Sequence, residues 1–272
     1  GHKFSRDCVP VLEHGLDHDV GAAALIDMGL ARERVLGGSS SYSKPDTSAI
    51  TFVTSVDARY LGKLRKNYRQ WRSNFYISSY PFIVYYHGVQ EDELAFLQNA
   101  VLIPWDVKFD TENQRERMLS SFVLGAPNDV QTPHWIKIDA DTSITPEFDQ
   151  RPFWEDWLNY DLVGNKWGYT KVKGDPDYKG RHWLNTLDDW WISTVDKKAG
   201  RLYPDNIEGR IHRHGRISSY VSCYSLEFTK QLAKLCGDRM PIPSQDTLAW
   251  YVAQRLNKRC LRVKVGQIGL TA

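Results

Sequence analysis

The chain predicts an α/β fold: a mostly parallel sheet flanked by helices. Three observations lead there. From position 49 to 138, short apolar strands alternate with helical stretches, the pattern of a parallel sheet with helical crossovers. The apolar strand at 134–138 runs straight into two carboxylates one residue apart, Asp139 and Asp141. An earlier strand also ends in a carboxylate, Asp57. Ligands of such sheets bind beyond the carboxyl ends of the strands, so these acids can meet in one cleft.

The elements follow in order. Residues 1–48 read as an N-terminal extension and linker, with a short helix over 20–30 and turn signals at Gly37-Gly38-Ser39 and Lys44-Pro45-Asp46. A buried strand at 49–56 ends at Asp57. The next stretch, 58–72, is a basic amphipathic helix. Tyr60, Leu61, Leu64, Tyr68 and Trp71 recur at helical spacing, and Lys63, Arg65, Lys66, Arg69 and Arg72 supply a cationic patch. Strands at 81–86 and 100–103 flank a short helix at 91–99, and a helix at 113–124 precedes the strand at 134–138. Beyond it come a Trp-rich helical stretch at 153–158, a strand at 161–169 and a helix at 182–195 containing Asp188-Asp189-Trp190-Trp191. A basic loop at 197–216 carries Arg201, Arg210, His212, Arg213 and His214. A strand at 217–223, helices at 226–236 and 245–255, and a strand at 260–265 complete the domain, and 266–272 is a tail.

Composition narrows the function. The 272 residues suit one large domain, and the formal net charge of +2 lacks the polyelectrolyte signal of non-specific nucleic-acid binding. The four cysteines form no CxxC pair, which argues against a structural zinc site. No apolar run reaches the ~20 residues of a membrane span. No signal peptide is visible, Gly1-His2 reads as a cloning remnant, and the expected compartment is the cytoplasm. Ten Trp and 14 Tyr exceed what a core tends to use, and Trp often lines sites for ring-shaped polar ligands.

Asp139 and Asp141 alternate with one residue between, so both can project one way where the strand opens. Two such carboxylates repel unless a cation or a shared proton lies between them. A hard divalent ion, Mn2+ or Mg2+, with phosphate oxygens completing its shell, resolves this most simply. The plain alternative is a solvated Asp-rich turn. A calcium loop of the EF-hand type is excluded, because Ile144 and Gln150 stand where Gly and Glu are required.

The layout over 49–265 resembles the GT-A family of nucleotide-sugar glycosyltransferases, by order of elements. Thr54-Ser55-Val56-Asp57 is similar to the family's nucleotide-binding edge. Asp139-Ala140-Asp141 is similar to its DxD motif, which likewise follows the fourth strand. Ser244-Gln245-Asp246, opening a late helix, is similar to its second acidic motif. The resemblance implies a GT-A-like, Rossmann-type sheet with a nucleotide-sugar half at 49–143 and a mixed acceptor half at 144–265. It implies transfer of a sugar from a nucleotide-diphosphate sugar, UDP-sugar favoured, to a hydroxyl of a glycan or small molecule. Asp141, and with it Asp139, would hold the metal. Asp139 would also reach the ribose, Asp57 the base or ribose, and Arg115, Arg117 or the basic loop at Arg213 the phosphates.

A hydroxyl acceptor needs a base, and an inverting enzyme, the favoured outcome, uses a carboxylate. Asp246 is the first candidate, with Asp188 and Asp189 as rivals. The plain readings are a helix cap for Asp57 or Asp246 and, for Asp188 and Asp189, an amphipathic helix with Trp inside and Asp outside. One departure stands out: many members carry a C-terminal His as a further metal ligand, and no His follows His214. Either the sequence stops short of it, or fewer protein ligands and more water hold the ion. Two other functions share the residues. One is the same chemistry on a hydroxylated base in DNA, with the basic segments on phosphates. The other is a non-catalytic carbohydrate-binding module with Trp as stacking platforms.

Overall fold

The computed structural model describes residues 46–74, 77–106, 114–145, 153–165, 179–202, 218–263 and 270–271. The extension at 1–45 and its expected helix, most of the basic loop (203–217, with Arg210, His212, Arg213 and His214) and the stretch at 166–178 lie outside the described residues.

The strands are β1 (Ile50–Asp57), β2 (Phe82–His87), β3 (Ala100–Pro104), β4 (His134–Ile138), β5 (Ser143–Ile144), β6 (Leu162–Asn165), β7 (Ser218–Ser225), β8 (Cys260–Val263) and β9 (Leu270–Thr271). The helices are α1 (Leu61–Ser73), α2 (Gln114–Ser120), α3 (Ala126–Asp129), α4 (Lys179–Trp190), α5 (Leu226–Cys236) and α6 (Gln245–Arg255). Seven strands form one sheet in the order β3-β2-β1-β4-β7-β6-β8, and β5 pairs with β9. β7 runs antiparallel to both its neighbours, and the other pairings of the large sheet are parallel. The mostly parallel α/β architecture predicted from the sequence is the one observed.

Each face of the sheet carries its own core. On one face α1 presents Leu64, Asn67, Tyr68 and Trp71 at helical spacing. The Trp71 ring stacks on Phe82 at 6.1 Å, and Tyr68 meets the same ring edge-on at 5.5 Å. Burying side chains of this size stabilises the fold by about 1.5–3 kcal/mol each. On the other face Val53, Trp135 and Tyr224 pack under α5 and α6. There Trp135 stacks on Tyr224 at 4.4 Å. Helix α6 is buried nearly all round, and α5 starts where Ser225 Oγ accepts from Phe228 N.

Several elements differ from expectation. The basic helix begins at Leu61, because Asp57 closes a turn onto Arg59. The 91–99 helix is a single 3-10 turn over Glu91–Leu94. Both α2 and α4 end in a π-type turn, at Ser121–Gly125 and Trp191–Val195. Two residues of the expected tail, Leu270 and Thr271, pair with Ile144 and Ser143 beside the acidic turn. The Trp residues expected to line a ligand site are largely core: Trp71, Trp135 and Trp250 are fully buried. Cys223, Cys236 and Cys260 are free thiols. Burial pushes those of Cys236 and Cys260 up to about 12, so neither is a thiolate at neutral pH.

Candidate active site

The site lies where β1 and β4 end. After Ile138 the chain turns at once: the Thr142 amide donates to the Asp139 carbonyl at 2.9 Å. Helix α1 holds this turn from behind by its main chain. Asn67 Nδ2 donates to the Ala140 carbonyl at 3.0 Å, and Trp71 Nε1 to the Thr142 carbonyl at 3.0 Å. Gln70 bonds both main-chain groups of Ile144. The Asp139 amide donates to the Tyr220 carbonyl of β7 at 2.8 Å. A turn with so many fixed main-chain groups presents its carboxylates in a set geometry.

Those carboxylates are partly open, 31% exposed for Asp139 and 29% for Asp141. Each has one oxygen near a lysine. Lys137 Nζ lies 2.6 Å from Asp139 Oδ1, and Lys63 Nζ lies 3.3 Å from Asp141 Oδ2. Burial raises the Asp139 carboxyl above its ordinary value. Lys137 opposes that shift, and Asp246 and Asp141 add to it as like charges.

Asp246 stands in the first turn of α6. Its Oδ1 is buried and has no hydrogen-bond partner among the described residues. Asp246 also acts on Tyr224, whose hydroxyl is held far above its ordinary value by burial first and by Asp246 second. Gln245 Nε2 donates to the Tyr224 hydroxyl. Strand β4, strand β7 and the start of α6 therefore bring Asp139, Tyr224, Gln245 and Asp246 to one place. The N-cap position is Ser244 rather than Asp246, and the Ser244 hydroxyl donates to Thr247 Oγ1 at 3.0 Å while accepting no bond from the helix N–H groups.

The other candidates are dispersed. Asp57 is 4% exposed, with Oδ1 accepting from the Arg59 amide and Oδ2 from its guanidinium at 2.5 Å. It makes a turn rather than the cap of a helix from Ala58. Thr54 shares the α1-facing side of β1 with Phe52 and Val56 and is fully buried. Ser55 faces the other way and donates to the Met118 carbonyl at 3.2 Å. Arg115 sits on α2, and its side chain lies outside the described residues, as does all of Arg213. Arg117 reaches His87 Nε2 at 3.5 Å, and its Nε is buried with no partner among the described residues. His87, level with Asp57 on β2, also lies 3.4 Å from Asp106.

Asp188 and Asp189 do not join the cleft. The Asp188 side chain is 0% exposed, and its Oδ1 accepts from Arg255 at 2.5 Å, the Tyr251 hydroxyl at 2.6 Å and the Leu202 amide at 2.9 Å. This ties α4 to α6 and to the stem of the basic loop. Asp189 is 65% exposed and pairs with Arg201 at 2.6 Å. The pattern of Trp inside and Asp outside is thus reversed at Asp188, because Arg255 and Tyr251 supply the donors that let a carboxylate be buried.

The sequence does not single out Lys137, Tyr224, Asn67 or Gln70, and it marks Gln245 only within the Ser244-Gln245-Asp246 motif and Trp71 only as an apolar position of the basic helix. The one available signal for Lys137 was a lysine inside an apolar strand, His134-Trp135-Ile136-Lys137-Ile138.

Hard carboxylate oxygens at a strand end fit a divalent ion such as Mn2+ or Mg2+. Among the described residues, however, no three His, Cys, Asp or Glu side chains converge as a metal-binding group. Asp139 and Asp141 are the two carboxylates that would hold such an ion here.

No protein-family model matches the chain, and no curated protein matches it. Solved structures do match in fold. The mannosyltransferase Ktr4p from S. cerevisiae, in complex with GDP, aligns with a TM-score of 0.52 at 8% identity, over 83% of this chain and 71% of that one. Core-mannan synthase A from Aspergillus fumigatus, in a Mn/GDP form, gives 0.47 at 13% identity over 85% and 71%. TarS from S. aureus, in complex with UDP-GlcNAc, gives 0.44 at 10% identity over 79% and 56%. The α/β fold predicted from the sequence, a mostly parallel sheet flanked by helices, is shared with the yeast mannosyltransferase.

Proposed function

We propose that this chain is a glycosyltransferase that moves a sugar from a nucleotide-diphosphate sugar to an acceptor hydroxyl. Asp139 and Asp141 would hold a divalent ion, Mn2+ or Mg2+, together with the donor diphosphate. When bound, that ion stabilises the charge of the leaving diphosphate as a Lewis acid. The observation that carries the reading is the partly open pair Asp139 and Asp141 where β4 ends, with Asp246 near enough to act on Asp139 as a like charge.

Asp246 is the general base of the proposal. Its buried Oδ1 has no protein donor among the described residues, so it can accept the proton of an acceptor hydroxyl. A carboxylate base at this place suits an inverting transfer. Tyr224 and Gln245 orient this corner of the cleft. Asp57, level with His87, and its partner Arg59 would form the edge that meets the nucleoside, and Arg117, which reaches His87, lies at the same edge. Thr54 is set aside as a ligand contact because it lies under α1. Asp188 becomes a brace for α6, and Asp189 a surface pair.

The yeast enzyme of this fold was solved with GDP, so GDP-sugars join UDP-sugars as donor candidates. A thermal-shift panel of both with Mn2+ tests the donor, since a ligand that binds the folded state raises its apparent stability. Asp141→Ala should abolish transfer and metal-dependent donor binding while the fold persists. Full activity in that variant, or in excess chelator, defeats the reading.

The acceptor has a second reading. Helix α1 has no acid in its first turn, exposes Lys66 and Arg69, and places Lys63 on Asp141. That favours a phosphate-bearing acceptor such as DNA, and charge reversal at Lys66 and Arg69 should then weaken acceptor binding in a salt-dependent way. Salt-independent binding points to a neutral glycan or small molecule.

A further inference from the structure

Lys137 is a cation sealed inside the sheet. Its side chain is 0% exposed, whereas lysines are almost never fully buried unless paired. Strand register sets it level with Val53 of β1 and Ser222 of β7. Its ammonium lies 5.1 Å from the centre of the Phe122 ring and 2.6 Å from Asp139 Oδ1. Asp139 in turn feels two further carboxylates, Asp246 and Asp141. Asp139 thus stands between this buried ammonium and the field of two other carboxylates, and the proposed chemistry gives the ammonium no task.

Asp139 and Asp141 without a counter-charge would draw a bare divalent ion more strongly. An ammonium fixed beside one of them works against this, because like charges at short range in a poorly screened site repel strongly. We propose that Lys137 is a resident cation that weakens the bare site for a divalent ion, so that the ion is held firmly only together with a diphosphate. The proposal rests on the donor-site reading above. Lys137 is a positioning residue in this scheme. It fixes Asp139 through Oδ1 and sets the charge of the site, and a diphosphate supplies the negative charge that tips the balance toward the ion. Once the spent nucleotide departs, the ion is free to leave with it.

The test uses Lys137→Met, Asp139→Asn and the double variant. Isothermal titration with Mn2+ alone should give a Kd about tenfold tighter in Lys137→Met than in the wild type, in line with removal of a nearby like charge. With UDP or GDP present the two proteins should differ much less. A purely structural lysine would instead loosen the site on removal, so unchanged or weaker Mn2+ binding overturns the proposal. Stability gives a second readout should Lys137→Met fail to fold. The double variant, which removes both charges, should unfold at a higher temperature than Lys137→Met, or fold where that variant does not. A double variant no more stable than Lys137→Met overturns the pairing. Asp139→Asn that binds Mn2+ like the wild type counts against the donor-site reading itself, separately from the order of the other proteins.

Discussion

Gln70 grips Ile144 by both main-chain groups. Its Nε2 donates to the Ile144 carbonyl at 2.9 Å, and its Oε1 accepts from the Ile144 amide at 3.1 Å. The side chain thus mimics a neighbouring strand just past the acidic turn. Gln70→Ala removes both bonds from the main chain of the buried Ile144. A loss of about 1–3 kcal/mol is expected in chemical denaturation. Donor binding should weaken as well, because the turn carrying Asp139 and Asp141 loses one of its anchors.

Asp246→Asn separates chemistry from stability. It keeps the shape of the side chain and removes a like charge from Asp139. Unfolding free energy should stay within about 1 kcal/mol of the wild type, the scale of one charge in a first helical turn. Turnover should fall about 10²–10⁴-fold, the usual contribution of a general base, with donor affinity retained. Unchanged turnover removes Asp246 from the mechanism.

Asp188→Ala should do the reverse. It strands the Arg255 guanidinium, which is 11% exposed, and takes a partner from the Tyr251 hydroxyl. Removing one member of a buried pair costs about 3–5 kcal/mol. Urea denaturation should show that loss, while turnover per folded molecule falls far less than in Asp246→Asn.

Gly125 is a packing position. A Cβ there would stand 2.8 Å from Trp105 Cζ3 and 3.0 Å from the Tyr85 ring. Both rings are pinned, Trp105 by its Nε1 bond to the Arg117 carbonyl and Tyr85 by its hydroxyl on Asp129. Gly125→Ala should therefore destabilise by about 1–3 kcal/mol, the range for overpacking, as read from the urea midpoint.

His134 gives the protein a pH dependence. Burial holds its pKa below the ordinary 6.5, partly opposed by the Tyr160 main chain and Asp161. On acidification the unfolded chain takes up the proton first. This contribution to stability is complete above 6.5 and is lost as pH falls from there through the lowered folded value. Unfolding free energies at about pH 5.5 and about pH 7.5 should differ less in His134→Gln than in the wild type. An equal difference in both proteins assigns the slope to other groups.

Strands and helices were legible because apolar periodicity writes them into the chain. Leu226–Cys236 and Gln245–Arg255 stand where their spacing put them. Strand order is another matter. Nothing in Ser218–Ser225 announces that it inserts antiparallel between β4 and β6. Yet that insertion sets Tyr224 beside Trp135 and lets Gln245 reach it. The acids at 139, 141 and 246 could be named from local pattern, but not the base among them. Lys137 reads as an interruption of an apolar strand until the sheet places Ser222 and Val53 at its sides. Asp188 reads as an outward-facing helix residue for a similar reason: its partner Arg255 lies on another helix, and only the fold shows that it can be buried.

Helix α1 binds the acidic turn through carbonyls and an amide at positions 140, 142 and 144. None of these bonds depends on which side chains stand at 139 and 141. The turn is in effect a socket whose contents can be exchanged. Substitutions at those two positions can alter the site's charge and ion preference while its shape stays put, so the same scaffold offers a place to install other ligand chemistry without rebuilding the loop.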